Sequence, residues 1–531
     1  VIHHNLIMKI IKKLLLPLIL ATTFCPQANA LEIIFPQSNP YKTSYHTTYI
    51  MGNVKKGAEL KINGETTKVW ANGAYCHIIS PENGDHEYKL TETYTDENGE
   101  IVTNEKVLKI KKLAGPQKPT TSTSTPTDFP KFHHKAKQPT ITPYEKPKFA
   151  YILTDGAPAR SYPSTNGDRI SHLPQKTVVI VEGEYKNWYK IQTNTEPLWI
   201  YKNNVKVLYP LDNELLVTIR RADIFQDEDF SYLQMTLDIP VPFKLTESGN
   251  EVDLTVWGVY DISELNKVLK KQKNQNWKIK KYDNNVLTLS TTCADGIWGY
   301  DATYENYTLV LKKRKCPIIY PNTPLKGMTI AVDAGHGGRE AGTVGPTKIP
   351  EKVVNLAISK QLQAELKRRG ANVVMTRTTD TDVEIYSRPQ IANDNNASIS
   401  ISIHANSMVD GNPLERHGVS VFWYNDHAKD LAHKIKKSMV EELKLRDDGT
   451  RYASFVLTRP TMPVSILVEV GYMPNPDEYL KLTNPKFQRQ AAKAISDGLE
   501  KFLKEKSKSI EIEEGKVFLP ILNKGQRRLS E

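Results

Sequence analysis

Hydrophobic residues follow two different periods along this chain. Before Lys326 they alternate with polar residues over short runs broken by Asn-Gly and similar pairs, as in TTYIMGN, AELKING, TKVWANGAYCHII and HEYKLTETYTDENGEIVTNEKVLKI. That is the pattern of half-buried strands joined by tight turns, and it makes residues 31–113 a small β-sandwich. A second β module is read over 149–209, from APARSYPS, VVIVEGE and the pairs Trp188-Tyr189 and Trp199-Ile200. A third spans 210–322, with LLVTIRRADIF, EVDLTVWGVY, NNVLTLSTT and YTLVLKKRK as strands and one amphipathic helix near ISELNKVL. Between the first two modules, residues 114–148 are rich in Pro and Thr, have little to bury and read as an extended linker.

After Lys326 the period changes. MTIAVDA is a strand, and from Glu351 to Arg369 a helix carries Val354, Ile358, Leu362 and Leu366 on one i+4 ridge. NVVMTR, SISISIHA, GVSVFWY, FVLTR and VSILVEVG follow as strands, with helices at HAKDLAHKIKKSMVEEL and from Asn484 to Leu503, the latter with an Asn cap and Pro485 at its first position. Strands alternating with helices predict an α/β domain over 323–504, built on a largely parallel sheet flanked by helices and preceded by all-β modules. The chain is therefore multidomain, as 531 residues already require. Residues 505–531 read as a flexible tail.

Composition adds a compartment. Residues 8–30, MKIIKKLLLPLILATTFCPQANA, join a basic start to an apolar run too short to span a membrane and end on small residues, so they read as a signal peptide cleaved after Ala30. VIHHNLI before Met8 fits no signal and is left out of the fold reading. The expected product is exported to the periplasm or cell wall, with no transmembrane anchor after cleavage. A formal charge of +11 suits an anionic surface. Nucleic acid is not the expected partner, because no arginine-rich helix, zinc-finger spacing or aromatic RNA-binding strand is present. Of four cysteines, Cys25 leaves with the signal, Cys76 lies apart, and Cys293 and Cys316 could pair in an oxidising compartment.

The chemistry gathers at the sheet's carboxyl edge, where ligands collect in such folds. His336 follows the first strand in AVDAGHGGREAG, Glu351 opens the next helix, and His404 ends SISISIHAN. Two imidazoles and a carboxylate at one rim make a zinc shell with an open fourth position, whereas a closed structural site more often uses thiolates. Gly335, Gly337 and Gly338 let the backbone turn sharply and a substrate approach His336. Glu469 stands inside the apolar strand VSILVEVG. A buried carboxylate must be paired, for instance with Arg388, or raised in pKa to serve as a general base and acid beside an activated water. The spacing alone defines a zinc hydrolase.

DAGHGGREAG, PEKVVNLA, TRTTD, SRPQIAN, SISIHAN and ILVEVGYMPNPDE, in this order, resemble the zinc-dependent N-acetylmuramoyl-L-alanine amidases of the kind that includes cell-division amidases. The resemblance covers about a third of the chain. It implies one Zn2+ per catalytic domain on His336, Glu351 and His404, with Glu469 catalytic. The implied substrate is peptidoglycan, cut between the muramic lactyl group and L-alanine. Asn406 is expected as a donor to the oxyanion, and Asp333 and Arg388 as supports around the ligands. His417, His427 and His433 are expected on surface or helix faces, His417 being the spare imidazole that could compete for metal. The upstream modules resemble, in order, immunoglobulin-like, bacterial SH3-like and AMIN-type envelope modules, which implies wall tethering or contact with envelope or division proteins. Some division amidases insert a long autoinhibitory helix after the second histidine. Here NSMVDGNPLERH fills that place, and a loop without such a plug is expected. The rival readings are a zinc peptidase cutting within stem peptides and a non-catalytic wall-binding regulator.

Overall fold

The computed structural model describes residues 31–115, 137–212, 215–272 and 277–513. The expected signal peptide with Cys25, most of the linker including His133 and His134, and the tail beyond Glu513 lie outside the described residues. The chain divides into two compact units, one ending at Ala114 and taking in Pro346–Lys348, the other formed by the remainder.

In the first unit, strands Glu32–Phe35, Thr48–Asn53 and Ala74–Ile79 form a three-stranded sheet, and five further strands form a second. Alternation along the strands sends Ile50, Leu60, Ile62, Leu90, Leu108 and Ile110 into a shared core. The long hairpin of Gly84–Thr95 and Ile101–Lys112 turns on Asp96, whose carboxylate accepts from the Asn98 and Glu100 amides.

The second unit begins with a seven-stranded sheet running from Thr142–Ile152 to Val205–Pro210. Its first strand starts inside the stretch read from sequence as linker, because Thr142, Pro143 and Lys148 pair with Glu184, Gly183 and Val181 once a partner is available. Residues 217–314 fold as a five-stranded and a four-stranded sheet with the helix Ser263–Lys271. Cys293 and Cys316 both carry free thiols.

The segment from Thr329 onward supplies a six-stranded sheet of β1 (Thr329–Ala334), β2 (Asn372–Met375), β3 (Ile399–Asn406), β4 (Val419–Trp423), β5 (Asp447–Tyr452) and β6 (Val464–Tyr472), in the order β2-β1-β3-β6-β4-β5. Its helices are α1 (Glu351–Arg368), α2 (Ser387–Asp394), α3 (Asp426–Leu443), α4 (Pro476–Leu482) and α5 (Pro485–Glu513). The expected parallel sheet holds for β2, β1, β3 and β6 and again between β4 and β5, but β4 runs antiparallel to β6. Residues 455–459, FVLTR, form a turn rather than the expected strand; the edge position is taken by DDGTRY of β5. The helix α5 continues through residues 505–513, which the sequence reading gave to the tail.

The ridge Val354, Ile358, Leu362 and Leu366 of α1 is buried against the sheet, each side chain contributing about 2 kcal/mol. On β3, Ile399, Ile401 and Ile403 enter this core while Ser400, Ser402 and His404 take the opposite face. The α5 helix opens on Asn484, whose side chain accepts from the Lys486 amide. No described helix is long and apolar enough to cross a membrane.

The 217–314 region is bonded directly to the α/β segment. Trp298 joins the core of the α/β segment and meets Phe502 edge-on, and Asn396 bridges Asp229 and Arg314. His427, expected on a helix face, is instead buried: its Nδ1 and backbone N–H both donate to the Glu247 carboxylate, at 2.6 and 3.1 Å. Burial alone would raise the Glu247 carboxyl, but His427 holds it below its ordinary value. The pair's stabilisation is thus in full force above the unfolded-state pKa of about 4.3 and is lost as pH falls through the lower folded value. His427→Ala strands a buried carboxylate and is expected to cost about 3 kcal/mol at neutral pH, with the deficit shrinking in acid, as denaturant titrations at several pH values will read.

Candidate functional site

The strand β1 ends at Ala334, and the chain then reverses through a short left-handed stretch: His336 has φ 59°, followed by Gly337 at 132° and Gly338 at 56°. A histidine in that region costs about 1–2 kcal/mol, which the surroundings must hold in place. Two arginines do so. Arg377 donates to the carbonyls of Ala334 and Gly335, and Arg388 donates to those of Ala334 and His336. Arg388 also pairs at 2.7 Å with Asp333, itself held by Thr376 and Ser402, and both partners are buried. The side chains of Asp333 and Arg388 therefore brace the loop.

The glycines do more than turn the chain. A Cβ on Gly335 would overlap the His404 ring, and one on Gly342 would press on the Glu351 carboxylate and the His336 ring. They make room for the three side chains to meet.

Glu351 lies beneath both imidazoles. Its Oε2 is 3.2 Å from His336 Nε2 and its Oε1 3.1 Å from His404 Nδ1. The same carboxylate accepts from the Thr343 and Ala405 amides and from Asn355 Nδ2. Burial by itself would raise this carboxyl, but the two imidazoles hold it well below the ordinary carboxylate range. One potential donor atom from each of His336, Glu351 and His404 lies within 4.8 Å of the others, and His404 Nε2 is buried with no hydrogen-bond partner. Two neutral imidazoles and an ionised carboxylate at this spacing fit a divalent metal. His417 is not part of the group; its Nδ1 is buried elsewhere, near Glu478.

Across the β3–β6 register, His404 stands beside Glu469. The residue is partly exposed, but its Oε2 is buried and unpartnered. Burial first, then the charges of Glu351 and Asp448, push its pKa well above the ordinary carboxylate value, with Arg451 opposing. Arg388, the arginine nominated from sequence, is committed to Asp333. The cation near Glu469 is Arg451 of β5, anchored at 2.6 Å to Asp448, which also takes the Tyr472 hydroxyl. Asn406 closes β3, and its side-chain oxygen is taken by the Ser407 amide. The sequence reading missed Arg451, Asp448 and Asn355. Only Asn355 left a signal, standing one helical turn after Glu351. Residues 407–417 form turns and bends with no helix.

An open α/β sheet carrying a His–Glu–His cluster and a buried acid at one rim is the framework of a hydrolase domain able to hold a metal. The comparisons give that class a family. Residues 330–501 match the N-acetylmuramoyl-L-alanine amidase family model. The chain is 35% identical over 184 residues to the uncharacterized protein YqiI of Bacillus subtilis (strain 168), a match covering 34% of this chain and 86% of YqiI. It is 33% identical over 178 residues to the probable cell wall amidase LytH of Staphylococcus aureus, covering 33% of this chain and 58% of LytH. Among solved structures, the N-acetylmuramoyl-L-alanine amidase AmiC2 of Nostoc punctiforme shares 37% identity, with a TM-score of 0.32 over 34% of this chain and 99% of that one. The chain belongs to the N-acetylmuramoyl-L-alanine amidase family.

Proposed function

We propose that this chain is an exported zinc amidase that hydrolyses the amide between the muramic acid lactyl group and L-alanine in peptidoglycan. The observation that carries the reading is the meeting of His336, Glu351 and His404 on one rim with Glu469 beside them, inside the segment that matches the family. A zinc ion on those three side chains would polarise the scissile carbonyl and bring the pKa of a water to about 7. Glu469, its pKa raised by its surroundings, takes the proton of the attacking water and returns it to the departing L-alanine nitrogen. Water's oxygen ends on the lactyl carboxylate and the peptide leaves with a free amine. Arg377, Arg388 and Asp333 keep the His336 loop in place, and Arg451 limits how far the Glu469 pKa rises.

The β modules are proposed to tether or position the catalytic domain on the wall, the first as an immunoglobulin-like, the second as an SH3-like and the third as an AMIN-like domain. Zinc-loaded full-length protein incubated with purified peptidoglycan is expected to release intact stem peptides beginning with L-alanine, as read by mass spectrometry. Shortened stems left on the glycan would make it a peptidase. Unaltered wall would leave a non-catalytic binder.

A further inference from the structure

Glu469 does not stand alone on its face of the sheet. On one side it is paired in register with His404 of β3, and on the other, where β6 runs antiparallel to β4, with Ser420. Val468 and Val470 enter the core, as do Val419 and Val421, so alternation puts Glu469 and Ser420 together on the opposite face. A row across three strands therefore reads His404, Glu469, Ser420. On the far side of Ser420 comes β5, whose register slips between Asp447 and Thr450, leaving Asp448 and Gly449 level with the serine.

Two atoms of this row lack what burial demands. Ser420 is 0% exposed, and its Oγ, like Glu469 Oε2, is buried without a hydrogen-bond partner. Bulk water reaches neither atom, and buried polar groups are as a rule paired. Directly opposed residues of an antiparallel pair hold their Cβ atoms about 4.5–5.5 Å apart, a gap that a serine hydroxyl and a glutamate carboxyl span by turning about their own side-chain bonds. Other donors are worse placed. Arg451 stands on β5 opposite Phe422, one strand further from Glu469, and its guanidinium is tied at 2.6 Å to Asp448. Tyr472, three residues along β6, gives its hydroxyl to the other Asp448 oxygen at 2.7 Å. The two oxygens of Glu469 are also unequal. The residue is partly exposed although Oε2 is enclosed, and among the described residues no hydrogen bond holds Oε1, which leaves Oε1 as the open one.

We propose that Ser420 is a positioning residue for the amide hydrolysis: its hydroxyl donates to Oε2 of Glu469, fixes the plane of the carboxyl and leaves Oε1 to take the proton from water and return it to the departing nitrogen. The proposal rests on the amidase reading above for the role of Glu469. No bond is made or broken at the serine. Without it the carboxyl turns about a terminal torsion that is broad and roughly two-fold, and the reacting oxygen spends part of its time misaimed.

The test uses zinc-loaded full-length protein and a soluble N-acetylmuramoyl tetrapeptide. Ser420→Ala is expected to lower kcat about tenfold, with KM and zinc content close to wild type and an unfolding midpoint that shows the variant folded. Ser420→Thr and Ser420→Val share one shape and differ in the hydroxyl, so among folded variants kcat should stay high in the first and fall in the second. In a Glu469→Gln background, Ser420→Ala is expected to change the residual kcat by less than about twofold, because the hydroxyl acts through that carboxyl. An unchanged kcat in Ser420→Ala, equal rates for the folded Thr and Val variants, or a loss that persists undiminished beside Glu469→Gln would overturn the proposal and leave the amidase reading standing. A wild type that cuts inside the stem peptide would sink the amidase reading, and the same serine dependence of that cut would keep the pair. A wild type that cuts no bond would sink both.

Discussion

Glu469→Gln is expected to lower kcat by about 10²–10⁴-fold while the protein keeps its fold and its metal. The amide preserves size and lies in the same strand, between Val468 and Val470, whose side chains belong to the sheet core. It also removes a charge that the surroundings disfavour: the Glu469 carboxyl is held well above its ordinary pKa, chiefly by burial and secondarily by Glu351. Stability should therefore hold or rise slightly. What is lost is the ability to accept a proton from water and hand it to the leaving nitrogen. Single-turnover rates on peptidoglycan, with metal content measured on the same sample, check both halves. Near-normal turnover in the presence of bound metal would remove Glu469 from the chemistry.

Glu351→Gln is expected to act one step earlier, by emptying the site. The residue faces both imidazoles and three further donors, so the neutral amide still has acceptor capacity for Thr343 or Ala405 but no charge to set against a cation. Loss of a mere supporting partner typically costs 10–100-fold in metal affinity, and loss of an anionic ligand should exceed about 100-fold. Zinc per chain is expected to fall from about one to a small fraction after dialysis. Activity should fall with it and return in part when excess metal is supplied. A variant that retained stoichiometric zinc through dialysis would place the metal elsewhere.

These side chains were legible for a simple reason. His336, Glu351 and His404 each sit where a strand or helix begins or ends, and strand–helix alternation puts those ends on one rim. Glu469 showed itself as an acid in an apolar run. Residues whose role depends on which strand lies beside which could not be read in this way. Arg451 and Asp448 come from DDGTRY, an edge strand with no apolar alternation, and they reach Glu469's neighbourhood only because β4 inserts antiparallel to β6. FVLTR has the composition of a strand yet turns, its chain reversing where Thr458 Oγ1 bonds the Ala453 carbonyl. His427 looked like a solvent-facing helix residue because its partner Glu247 is 180 residues away.

The supports beneath the three candidate ligands also bear on how far a distant change can reach. Thr343, Ala405 and Asn355 fix the Glu351 carboxylate, and Arg377 and Arg388 fix the bend that aims His336, all through bonds made within the polypeptide. The aim of each side chain is thus tied to the fold of the whole rim, so a substitution that loosens one of these bonds, such as Asn355→Ala, is expected to weaken metal binding without touching a candidate ligand.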